Sequence, residues 1–141
     1  MYTKILITVL AATLTVPALA DRKDKQRVSF PPIYKQECGT CHVAFPASLL
    51  SAQDWRRVMD RLDKHYGTDA SLDAKPRGEI LAWLERNADN RMKTPDDAGL
   101  PRLTETGWFK RKHREVPSRF WKDPRVKSAA NCQACHGKAE Q

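Results

Sequence analysis

The chain has 141 residues, with 25 lysines and arginines against 17 aspartates and glutamates and a formal net charge of +8. That length accommodates one ordinary domain or two very small ones. A basic balance of this size admits a nucleic-acid partner on charge alone, but the first twenty residues argue that the chain leaves the compartment where nucleic acid resides.

Lys4, the apolar run from Ile5 to Val16 and the small-residue site Ala18-Leu19-Ala20 precede the charged Asp21-Arg22-Lys23-Asp24-Lys25. This order predicts a secretory signal peptide over 1–20, cut after Ala20, with a bacterial periplasm as the address. The run is short for a bilayer span, so no membrane span is expected after cleavage. Removing 20 of 141 residues leaves 121, with 24 basic and 17 acidic side chains. Their distribution is uneven: 21–90 holds 12 basic and 11 acidic residues, whereas 91–141 holds 12 and 6.

Pro31-Pro32, which cannot lie inside a helix, introduces a short helix expected over Ile33–His42. It carries Cys38-Gly39-Thr40-Cys41-His42, and the chain repeats the pattern as Cys132-Gln133-Ala134-Cys135-His136. Two thiols one helical turn apart reach the two vinyl groups of one porphyrin, and the histidine that follows presents an imidazole to its iron. Each copy therefore reads as an attachment site for a c-type haem, giving two covalently bound haems. A structural zinc site is a weaker reading, because zinc ribbons place their cysteine pairs about fifteen to twenty residues apart. Two disulfides would suit an exported chain, yet they leave unexplained why a histidine follows the second cysteine both times.

Ser51-Ala52-Gln53-Asp54 resembles a capping box, and Trp55, Val58, Met59, Leu62, His65 and Tyr66 then recur at helical spacing until Gly67. The pattern predicts one helix with His65 on its apolar face, where a neutral imidazole suits the sixth position of a haem iron. Asp73 or Ser71 caps a third helix, with Pro76 in its first turn, the stripe Ile80, Trp83, Leu84 and Ala88, and an end near Asn90. That stripe is core packing. Met59 and Met92 are the competing axial ligands, the first on a core stripe and the second after the third helix.

Thr94-Pro95-Asp96-Asp97-Ala98-Gly99 marks a boundary, dividing the chain into a haem domain over 21–93 and a haem-binding segment over 94–141. The second segment is poor in aliphatic residues, and Pro101, Pro117 and Pro124 keep its helices short, so its haem is expected to serve as its core. Lys110-Arg111-Lys112-His113-Arg114 reads as a solvated charged face. His113 is the remaining histidine, and its cationic neighbours disfavour an imidazolium, so it is assigned to the second haem. Four histidines then fill four axial positions: His42 with His65, and His136 with His113. Sequence alone leaves the crossed pairing open, although short separations favour this one.

A Cys-x-x-Cys-His helix, a middle helix delivering a distal ligand and a closing amphipathic helix follow the order of a class I cytochrome c, with His65 where such folds usually use methionine. More closely, Glu37-Cys38-Gly39-Thr40-Cys41-His42-Val43-Ala44-Phe45-Pro46, Leu49-Leu50, Trp55, His65-Tyr66-Gly67 and Asn131-Cys132-Gln133-Ala134-Cys135-His136-Gly137 resemble the bacterial dihaem cytochrome c family called DHC. The expected fold is all-α, a class I cytochrome c-like lobe followed by a small, largely irregular haem lobe. The resemblance implies electron transfer with a redox protein partner, either a small oxygen-binding monohaem cytochrome or a membrane cytochrome b. No catalytic residue and no nucleic-acid partner are expected. A small haem peroxidase or reductase, or a haem-based sensor, is the alternative, and the former requires an iron with an open position.

Overall fold

The computed structural model describes residues 28–95 and 99–137. The signal peptide expected at 1–20, and residues 96–98 of the boundary expected at 94–99, lie outside the described residues. Among the described residues there are five helices: α1 (Pro32–Cys38), α2 (Ala52–Met59), α3 (Ala74–Asn87), α4 (Gly107–Lys112) and α5 (Ser118–Trp121). Single 3₁₀ turns stand at Ala47–Leu49, Leu62–Lys64, Leu103–Glu105 and Cys132–Ala134. Among the described residues the β-pairing is an isolated bridge between His65 and Thr68, and the fold is all-α.

Pro32 opens α1, where its missing N–H costs nothing. The helix stops at Cys38 rather than at His42. Gly39 makes the last helical bond, its N–H donating to the Lys35 carbonyl at 3.0 Å, and a Cβ at Gly39 would collide with that same oxygen. Cys41 and His42 therefore occupy the turn that follows. Tyr34, 2% exposed, donates its hydroxyl to the Phe45 carbonyl at 2.7 Å and folds the segment after the motif back over α1.

The cap at Ser51 forms as its sequence predicts. Its hydroxyl accepts from the Asp54 N–H at 3.1 Å and donates to the Asp54 carboxylate at 2.9 Å. The same buried carboxylate accepts from the Thr94 N–H and hydroxyl at 3.2 and 3.1 Å and from Arg57 at 3.2 Å. Asp54 thus fastens the start of α2 to the chain leaving α3.

α2 ends at Met59, so His65 does not lie on its apolar face as the periodicity predicts. The cause is a side chain from α3: Arg77 donates from Nε to the Met59 carbonyl at 2.9 Å and from its guanidinium to the Asp60 carboxylate. An orphan carbonyl captured this way needs no further helical turn. Arg61 leaves helical geometry at φ −131°, ψ 37°, and a separate 3₁₀ turn carries the chain to His65. α3 keeps its predicted stripe, with Ile80, Trp83 and Leu84 buried against Trp55 and Met59 of α2. Asp73 holds its N-cap position without a side-chain bond, and Ala88 turns the chain extended.

After residue 99 the helices are short. Pro117 stands immediately before α5, and Thr106 caps α4 by accepting from the Phe109 N–H at 3.1 Å. Leu103 and Phe109 join the same buried cluster as Tyr34, Trp55 and Trp83. One core therefore takes in residues on both sides of 93–94, and a hydrogen bond from the Tyr66 hydroxyl to the Pro101 carbonyl adds a second tie.

Candidate haem centres

Each Cys-x-x-Cys-His histidine is faced by a second histidine. The His42 and His65 ring centroids lie 6.2 Å apart with an interplanar angle of 20°. For His113 and His136 the values are 6.0 Å and 88°. Two imidazoles bound to one metal at about 2 Å per bond place their centroids roughly 6 Å apart. The spacing of both pairs fits an iron between the rings, with His42 facing His65 and His113 facing His136.

The ring nitrogens are differentiated. His42 Nδ1 lies 2.7 Å from the Val43 carbonyl and His113 Nδ1 lies 2.9 Å from the Phe109 carbonyl. A carbonyl can only accept, so Nδ1 carries the proton in both rings and Nε2 keeps a lone pair for metal. His42 stacks on Phe45 at 4.9 Å, and His113 stacks on Phe109 at 4.0 Å with Trp121 at its edge. Phe109 thus supplies both the ring and the carbonyl that orient His113, a role available from the i, i+4 spacing along α4 but not assigned from sequence.

His65 differs. Its Nδ1 is buried without a hydrogen-bond partner, and burial, then repulsion from His42, pushes its pKa below the usual imidazole value. A neutral ring results, the form a metal takes. His65 is followed by Tyr66 and Gly67 in left-handed conformation at φ 49° and 96°, a turn the sequence signals only through Gly67.

Cys38 and Cys132 are partly buried, Cys41 and Cys135 exposed, and none of the four is in a disulfide. Burial, then Glu37, pushes the Cys38 thiol up to about 11, and burial raises Cys132 as well. Sites that disfavour a thiolate suit a neutral thioether. Among the described residues no three His, Cys, Asp or Glu side chains converge as a metal-ion site, so the two cysteine pairs do not build the zinc alternative. Met59 is 3% exposed within the core cluster. The Met92 carbonyl accepts from the Ser51 N–H at 3.0 Å, placing Met92 beside the start of α2. The residues present fit two c-type haems.

Among the described residues no helix is long and apolar enough to cross a membrane. No curated protein matches the chain. Solved structures do. DHC purified from Rhodobacter sphaeroides is 43% identical with a TM-score of 0.68, over 80% of this chain and 96% of that one. A second structure, titled as the dihaem cytochrome c of the same organism, is 40% identical with a TM-score of 0.70, over 80% and 95%. The dihaem c-type cytochrome of Shewanella baltica OS155 is 37% identical with a TM-score of 0.68, over 79% and 85%. The sequence profile of the family described as dihaem cytochrome c matches residues 34–141. That match takes in both Cys-x-x-Cys-His motifs and both histidine pairs. The chain belongs to the dihaem cytochrome c family, and it is a haem electron-transfer protein with two covalently bound haem c groups.

Proposed function

We propose that the protein is a periplasmic electron carrier, not an enzyme, in which the first haem is held by Cys38, Cys41, His42 and His65 and the second by Cys132, Cys135, His136 and His113. The observation that carries this reading is the pairing of every motif histidine with a second histidine at an iron-spanning distance. When bound, the haem irons supply a one-electron couple. The chain's own contribution would be two neutral imidazoles for each haem iron, which would leave no coordination site for a substrate. Val43 and Phe109 fix two of those rings through Nδ1, raising their basicity as donors. A second imidazole in place of methionine favours a low potential. The partner is a redox protein, a monohaem cytochrome or a membrane cytochrome b, and the signal-like residues 1–20 support export.

Mass spectrometry of the mature protein and its near-infrared magnetic circular dichroism test the assignment together. The expected result is apoprotein mass plus two haems, and charge-transfer bands of bis-histidine iron alone. A histidine–methionine band, or a high-spin resting signal, contradicts it.

A further inference from the structure

We propose that His65 is a displaceable ligand, and that the first centre is therefore also a conditional binding site for a small neutral π-acceptor of the carbon monoxide class. This rests on the bis-histidine reading above. A histidine that gives its Nε2 lone pair to iron must carry its proton on Nδ1. In His42 and His113 that proton meets a carbonyl at 2.7 and 2.9 Å, and His136 is exposed to solvent. His65 alone has a buried Nδ1 with no partner. Desolvating an N–H without a return bond favours the released ring, which regains water.

The chain around His65 supplies the means of release. The 3₁₀ turn Leu62–Lys64 ends at His65, and the next two residues are left-handed, Tyr66 at φ 49° and Gly67 at φ 96°. A non-glycine residue there is strained. Release is opposed by the Tyr66 hydroxyl on the Pro101 carbonyl and the Arg102 guanidinium 4.7 Å from the Tyr66 ring, and the backbone of His65 is held by its bridge to Thr68, whose N–H donates to the His65 carbonyl at 3.0 Å. His113, by contrast, is packed against Phe109 and Trp121 and bonded into α4.

The step is a neutral exchange. His65 departs with its nitrogen lone pair as the iron–nitrogen bond breaks, and the carbon lone pair of carbon monoxide forms the new bond. The iron stays ferrous, and the Nδ1 proton stays on the ring.

The test is carbon monoxide added to the fully reduced holoprotein, followed by Soret absorbance and by the ring-current-shifted resonances of the four imidazoles. The wild-type protein should bind one equivalent at a rate independent of carbon monoxide concentration, with the His65 resonances alone lost from their shifted positions. His113→Ala should bind one fast equivalent and then the same slow one. His65→Ala should bind one equivalent at least about tenfold faster than wild type, and no slow one. No uptake by wild type, or slow uptake with another histidine displaced, overturns the proposal while leaving the bis-histidine reading intact. Fast, concentration-dependent uptake by wild type defeats both, because an iron would already be open.

Discussion

Asp54 shows how much a single side chain contributes away from the haem centres. It is 5% exposed, yet it is the common acceptor for Ser51, Thr94 and Arg57. Removing one partner from such a network leaves the others buried and unsatisfied, which costs more than the bonds return when intact. Asp54→Ala should therefore destabilise the holoprotein by about 3 kcal/mol, read as a lower denaturation midpoint with unchanged slope. Ser51→Ala, which removes one donor and the helix cap but leaves the carboxylate its other partners, should cost about 1 kcal/mol. Equal losses for the two variants would contradict the role given to the carboxylate.

Among the elements, what was legible from sequence was local. The Ser51 cap, the prolines before α1 and α5, and the buried stripe Ile80, Trp83 and Leu84 are written in adjacent residues, and the structure has them. The end of α2 was not legible, because apolar spacing continues through Leu62 while the group that terminates the helix, Arg77, arrives from α3. The same reason hides the true setting of His65, which sits in a turn rather than on a helix face. The early stop of α1 has a signal in Gly39, but its force comes from the Lys35 carbonyl, visible only in three dimensions. At the candidate haem centres, the four histidines that the structure brings into facing pairs were readable as candidate ligands from their number. The carbonyls that set the tautomers of His42 and His113 were not, since any residue supplies a carbonyl.

On the scale of the whole molecule, charge distinguishes the two ends. Residues 91–141 carry 12 basic against 6 acidic side chains, while 21–90 are nearly balanced at 12 against 11. Lys110 and Lys112 are exposed on α4, the element that ends at His113. Exposed charges steer encounter over about a Debye length, roughly 8 Å at physiological salt. Electron transfer with an acidic partner should therefore slow as salt rises. Reversing Lys110 and Lys112 to glutamate should reduce the second-order rate more than reversing the exposed Lys64 and Lys75. Stopped-flow rates that ignore ionic strength, or that fall equally for both pairs, contradict docking through this end.

If histidine pairs close both irons, as proposed above, the two pairs differ in a way that one measurement resolves. The imidazole planes are 20° apart at His42–His65 and 88° apart at His113–His136. Parallel imidazoles align their π-interaction with one iron d orbital and split the d levels rhombically, whereas perpendicular ones leave them nearly degenerate. Low-temperature electron paramagnetic resonance of the oxidised holoprotein should therefore show two low-spin species of equal weight, one rhombic and one strongly anisotropic with a single large g value. His65→Met should remove the rhombic species and spare the other. A high-spin signal in the wild-type protein, or two identical low-spin signals that both survive His65→Met, would contradict the account.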